Sequence, residues 1–155
     1  MGLRTPLCDL LHIEHPILLA GMGGVSYAPL AAAVSNAGGY GVLGMAGTSP
    51  DFIRAQMREV RSLTDKPFGV DLLAATPDAL TASVEVIIEE GASSFIAGLG
   101  VPLPIIERLK TAGLKVMVVC GAVKHAVKAE QAGCDAVICQ GGEGGGHTGL
   151  VGTLP

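Results

Sequence analysis

Short apolar runs alternate with amphipathic segments along the whole chain. The apolar runs cover 16–20, 40–45, 68–73, 94–97, 115–119 and 136–139, and each reads as a strand. They are continuous rather than alternating, the pattern of strands covered on both faces and hence of a parallel sheet. The segments between them carry helical spacing. Ile53, Met57, Val60 and Leu63 share one face, as do Leu80, Val84, Ile87 and Ile88. Ile105, Ile106, Leu109 and Ala112 make a third such face, and 27–37 and 123–132 read as two further helices. Ser49-Pro50-Asp51 supplies an N-cap, a first-turn proline and an acid, and Thr76-Pro77-Asp78 opens the next helix in the same way. Gly38, Gly91, Gly113 and Gly133 stand where helices end, the position at which a left-handed residue closes the last turn.

Repeated βα units leave two architectures, a doubly wound sheet or a (β/α)8 barrel. The doubly wound reading asks for GxGxxG after the first strand and an acid after the second. The chain has Gly21-Met22-Gly23-Gly24-Val25-Ser26 and then Gly44-Met45-Ala46-Gly47, an imperfect fingerprint without its acid. The barrel reading asks for eight strands and typically about 250 residues. Six strands in 155 residues therefore predict an α/β fold of TIM-barrel type that is incomplete. The expectation is one domain over 1–155, the N-terminal part of such a barrel, without the seventh and eighth units.

Composition narrows the function. Hydrophobic residues make up 49%, enough for one sizeable core. A net charge of −4 and 3% aromatic residues argue against nucleic acid as a partner. Mean hydropathy is +0.52, which buried strands explain, since no apolar run reaches the roughly 18–20 residues of a membrane span. The four cysteines have no CxxC spacing, so no metal site is indicated. Cys120 and Cys139 lie in apolar runs and read as buried thiols in a reducing compartment. The N-terminus lacks the apolar core of a signal peptide, and the expected location is cytoplasmic.

In a barrel, the strand ends of one polarity converge on one face. Those positions here are 21–24, 44–47, Asp71, 98–100, Cys120-Gly121 and 140–149, and most are glycine-rich. Small residues at a barrel mouth leave room for a wide planar ligand such as a flavin, whose edge meets backbone groups. The last stretch holds six glycines and His147 within the nine residues 141–149. Histidine changes charge near neutral pH and can move a proton there. Glu143 reads as a loop-ordering hydrogen-bond partner. His12, His15 and His125 read as surface or structural side chains. Met22 could fill the top of the barrel, Asp71 could bond N–H groups of a neighbouring loop, and His147 could be a plain loop residue.

HPILLAGMGG (15–24), AVSNAGGYGVLG (33–44), LTDKPFGVDL (63–72) and QGGEGGGHTG (140–149) together resemble the nitronate monooxygenase family, FMN-binding TIM barrels. Flavin-dependent enoyl-ACP reductases and NAD(P)H:quinone reductases are similar and share the scaffold. The resemblance runs in order over the whole chain. It implies oxidation of alkyl nitronates or nitroalkanes with O2 to a carbonyl compound and nitrite. It also implies that the backbone of Gly21, Met22 and Gly23 lines the flavin ring and that Gln140 and Gly145 contact the cofactor. His147 matches the active-site histidine. It would take the proton beside the nitro group or hold the nitronate oxygens, while the cofactor carries the redox step. Asp71 stands where the family usually has asparagine, which puts a charge near the flavin in question. The family's phosphate-binding loops follow strands that this chain lacks. The resemblance separates the family's activities poorly, so a reductase on the same scaffold stays open. So does a non-catalytic, truncated half-barrel whose two open edges are met by another half or, as a homo-oligomer, by itself.

Overall fold

A computed structural model describes residues 3–74 and 77–154. Five strands, β1 (Gly41–Gly44), β2 (Phe68–Leu73), β3 (Ser94–Gly98), β4 (Lys115–Cys120) and β5 (Ala136–Cys139), form one sheet in chain order. Every neighbouring pair is parallel. A short helix, α1 (Pro6–Leu11), precedes them, and α2 (Ala28–Asn36) leads into β1. The crossovers are α3 (Pro50–Leu63), α4 (Pro77–Glu89), α5 (Leu103–Thr111) and α6 (Val123–Gln131). A doubly wound sheet reverses its strand order at a switch point; here none occurs. With right-handed crossovers, sequential strands put the crossover helices on one face, and the sheet forms the wall of a TIM-type barrel short of the eight strands of a closed one.

The two faces bury different residues, as the period-two alternation of a strand requires. Leu43, Phe68, Val70, Leu72, Phe95, Ala97, Val116 and Val118 face the helices and meet Ile53, Met57, Val60, Ile87 and Leu109. Tyr40, Val42, Ile96 and Met117 point the other way and pack on Cys8, Leu11 and Ile13. That second layer comes from α1, which the sequence pattern does not reveal. Glu14 and His15 donate backbone N–H groups to the carbonyl of Gly38 just ahead of β1, so α1 covers the inner face near the N-terminal ends of the strands. Within this layer the Tyr40 hydroxyl donates to Ser94 Oγ at 2.7 Å. Gly69 lies beside the pair, where a Cβ would stand 2.5 Å from Ser94 Oγ.

Several local expectations hold. Ser49 Oγ accepts the N–H of Phe52, and Gly38, Gly91, Gly113 and Gly133 all have positive φ. Others are corrected. The expected first strand over 16–20 pairs with β1 only at Leu18, bridged to Tyr40. Among the described residues no strand pairs with its other side, and Pro16 has no N–H to give. Leu63 is exposed because it falls at the end of α3. Cys120 is buried but Cys139 is exposed. β5 is an edge strand with an uncovered outer face, and Val137 beside it is exposed as well. Thr76 lies outside the described residues.

Candidate active site

The C-terminal strand ends come together in two groups. The first joins the 21–24 turn to β1, β2 and β3. Ser26, fully buried, builds the turn: its hydroxyl accepts the Met22 N–H at 2.7 Å and donates to the Met22 carbonyl at 3.1 Å. Its own carbonyl accepts the Gly44 N–H at 3.0 Å. The serine that spoils a dinucleotide fingerprint is therefore what pins the glycine turn to β1. Sequence reasoning missed this role; a small hydroxyl residue closing a glycine run was the available signal. Gly44 has no room for a side chain, because a Cβ there would meet the backbone of Met22. Gly21 has none either, because its Cβ would meet the carboxyl of Asp71.

Asp71 sits on the inner face of β2 in register with Gly44 of β1 and Ile96 of β3. Its Oδ1 is buried and has no hydrogen-bond partner among the described residues. It therefore does not bond a neighbouring loop's N–H groups. Burial pushes its carboxyl up to about 7, because desolvation disfavours the charged form. At Gly23, Gly24 and Gly47 no atom lies within 4 Å of where a side chain would begin. Met22 does not fill the barrel core, since its side chain is exposed.

The second group is the loop after β5. Gln140 continues the ladder by donating its N–H to the Cys120 carbonyl at 3.1 Å. Its side-chain amide donates to the Gly145 carbonyl at 2.9 Å. Gly141 N–H donates to Thr153 Oγ1 at 2.8 Å, and Thr153 N–H donates to Glu143 Oε1 at 2.9 Å. Glu143 is thus a loop-ordering acceptor. Backbone N–H groups of its own residue and of Thr153 hold its carboxyl below the usual range. Gly145 borders open space. His147 is exposed, and among the described residues its imidazole makes no hydrogen bond or ion pair. The structure thus assembles Gly21, Met22, Gly23 and Asp71 in one place and Gln140 with Gly145 in another. No hydrogen bond ties His147 to either set among the described residues.

A nitronate monooxygenase family model matches residues 4–154. The chain belongs to the nitronate monooxygenase family. It is 48% identical over 153 residues to a (3aS,4S,5R,7aS)-5-hydroxy-7a-methyl-1-oxo-octahydro-1H-indene-4-carboxyl-CoA dehydrogenase of Mycobacterium tuberculosis, covering 99% of this chain and 43% of that protein. A nitronate monooxygenase of Paraburkholderia phytofirmans is 34% identical, with 95% of this chain and 50% of that protein covered. The structure of FabK from Thermotoga maritima superposes with a TM-score of 0.93 at 45% identity, over 97% of this chain and 48% of that one. The chain spans about half the length of the relatives it matches. Nitronate monooxygenase family proteins are oxidoreductases, in line with the named dehydrogenase and monooxygenase. Among the described residues no helix is long and apolar enough to cross a membrane.

Proposed function

We propose that this chain builds the ring-binding wall of a flavin-dependent oxidoreductase, with FMN as the cofactor and a small carbon acid as the substrate. The observation that carries the reading is the glycine-lined mouth. Backbone at Gly23, Gly24 and Gly47 borders open space, and beside it the buried Oδ1 of Asp71 has no partner. These residues fit a flat ligand that meets main-chain groups along its edge. Gly21, Met22 and Gly23 would hold one edge, with Gln140 and Gly145 on the β5 loop as further contacts. The flavin, when bound, supplies the electron acceptor. His147, exposed and unpaired on that loop, would take the proton from the carbon next to an electron-withdrawing group.

Two substrates suit that proton transfer. The family points to a nitroalkane, which gives up that proton to become the alkyl nitronate that O2 then oxidises to a carbonyl compound and nitrite. The higher identity to a CoA-thioester dehydrogenase, 48% against 34%, favours a second reading, oxidation of an acyl-CoA.

The test starts with the purified 155-residue chain, FMN and a visible spectrum. The flavin-loaded chain is then mixed with nitroethane and with ethylnitronate in air and, separately, with the CoA thioester of the mycobacterial relative without oxygen. Nitrite release from nitroethane that is strongly reduced by His147→Ala, with release from ethylnitronate kept, supports the nitronate reading with His147 as the base. Bleaching by the thioester alone moves the substrate to the second. A protein that takes up no flavin refutes both.

A further inference from the structure

The side chain least explained so far is Asp71. It lies on the inner face of β2, walled by Gly21 on one side and by Gly98 on the other, where a Cβ would stand 3.9 Å from its Oδ1. An ionised carboxylate only accepts hydrogen bonds, so a buried one is normally met by N–H groups or a cation. Asp71 is met by neither. No hydrogen bond or ion pair reaches its carboxyl among the described residues. Among the described residues, its register partners are Gly44 and Ile96, and its carboxyl lies against Gly21 and Gly98; the segments 20–24, 44–47 and 96–100 that carry them contain no ionisable side chain. Its strand neighbours are Val70 and Leu72. Glu143 and His147, the ionisable side chains of the β5 loop segment 140–149, do not shift it; burial acts alone and raises its proton affinity.

We propose that Asp71 faces the ligand as a neutral carboxylic acid and donates its O–H to a carbonyl-type oxygen or ring-nitrogen lone pair on the edge of a planar ligand. The proposal rests on the flavin reading for the identity of that ligand. The neutral acid resolves the orphaned oxygen, because a protonated carboxyl needs one acceptor and leaves no buried charge. An asparagine at this position would offer N–H at every pH, whereas an acid offers O–H only while protonated. Binding at this mouth is therefore gated by pH. Once the acid ionises, a negative charge faces the ligand's lone pair and the donor is gone.

Riboflavin isolates the ring from any phosphate contact, and its fluorescence quenching reads affinity directly. The full chain and Asp71→Asn are titrated with riboflavin from about pH 6 to about pH 9, a window that brackets the acid's ionisation. In parallel, the Asp71 carboxyl carbon shift of the ligand-free chain is followed by NMR. The expected result is a carboxyl that titrates near neutrality, with affinity falling up to about tenfold per pH unit above that midpoint. Asp71→Asn is expected to match the parent at the acid end and to stay flat. A carboxyl that titrates in the ordinary aspartate range overturns the proposal, as does pH-independent binding by the parent chain. Loss of binding in Asp71→Asn at the acid end overturns it too. No riboflavin binding by either protein at any pH overturns the flavin reading, and the donor role falls with it; normal but pH-flat binding overturns the donor role alone.

Discussion

A single methyl group placed at two neighbouring glycines separates a structural role from a ligand-facing one. At Gly44 an added Cβ would lie 2.6 Å from the Met22 carbonyl carbon and oxygen. The Met22 N lies closer still, and ordinary contact begins at 3.4 Å, so the 21–24 turn must move by about 1 Å. Backbone atoms cannot rotate aside, and the shift strains the Gly44 N–H to Ser26 carbonyl bond at 3.0 Å. Overpacking of this kind costs about 1–3 kcal/mol. At Gly23 nothing lies within 4 Å and φ is not in the left-handed range. Gly23→Ala should then leave the ligand-free fold unchanged within about 0.5 kcal/mol, the usual scale of a harmless surface substitution. Its methyl enters the space assigned to the flavin ring. Urea unfolding and riboflavin titration on both variants are the assays. Gly44→Ala is expected to lower stability and weaken binding together, by about tenfold in Kd for every 1.4 kcal/mol lost at the mouth. Gly23→Ala is expected to weaken binding alone. If Gly23→Ala binds riboflavin like the parent, the open glycine surface is not where the ring lies.

Asp71 ties stability to pH. Its carboxyl is raised from 3.8 to about 7 in the folded chain, so stability is greatest while both states are protonated and is lost as pH rises toward about 7. At about 1.4 kcal/mol per unit this amounts to at most about 4 kcal/mol, reduced by partial solvent contact; urea unfolding across that range should show the slope, and Asp71→Asn should flatten it. Tyr40→Phe leaves the buried Ser94 hydroxyl without its partner and should cost about 1–3 kcal/mol, whereas adding Ser94→Ala should recover part of that loss. Ser49→Ala removes the cap on Phe52 N–H and should lower the thermal midpoint by the equivalent of about 1 kcal/mol without touching flavin affinity.

Features set by a few adjacent residues were legible in the sequence. The helix-ending glycines, the Ser49 cap and the inward faces of α3 and α4 follow from local sterics and period. The barrel-type order followed from continuous apolar strands, and the family from four spaced segments. What escaped depends on contacts far apart in the chain. α1 is six residues long, too short for a period to show, and is held by Cys8 and Leu11 meeting Tyr40, Ile96 and Met117. Cys139 looks buried in its run and is not, because β5 is an edge strand whose outer face stays open at Val137 and Cys139 among the described residues. Gln56 of α3 accepts the Ala28 N–H at the start of α2 at 2.8 Å, a cap no local pattern announces. Asp71 and Ser26 were visible as residues but not as roles. Their meaning comes from Gly21, Gly44 and Gly98 closing around them.

The central claim is that the glycine-lined strand ends hold a flavin ring. Titrating the purified 155-residue chain with FMN and recording the visible spectrum tests it most directly. Saturable uptake with resolved, shifted flavin bands is expected, strong in the parent chain and weakened in Gly23→Ala. A spectrum that stays that of free FMN at every ratio would contradict it.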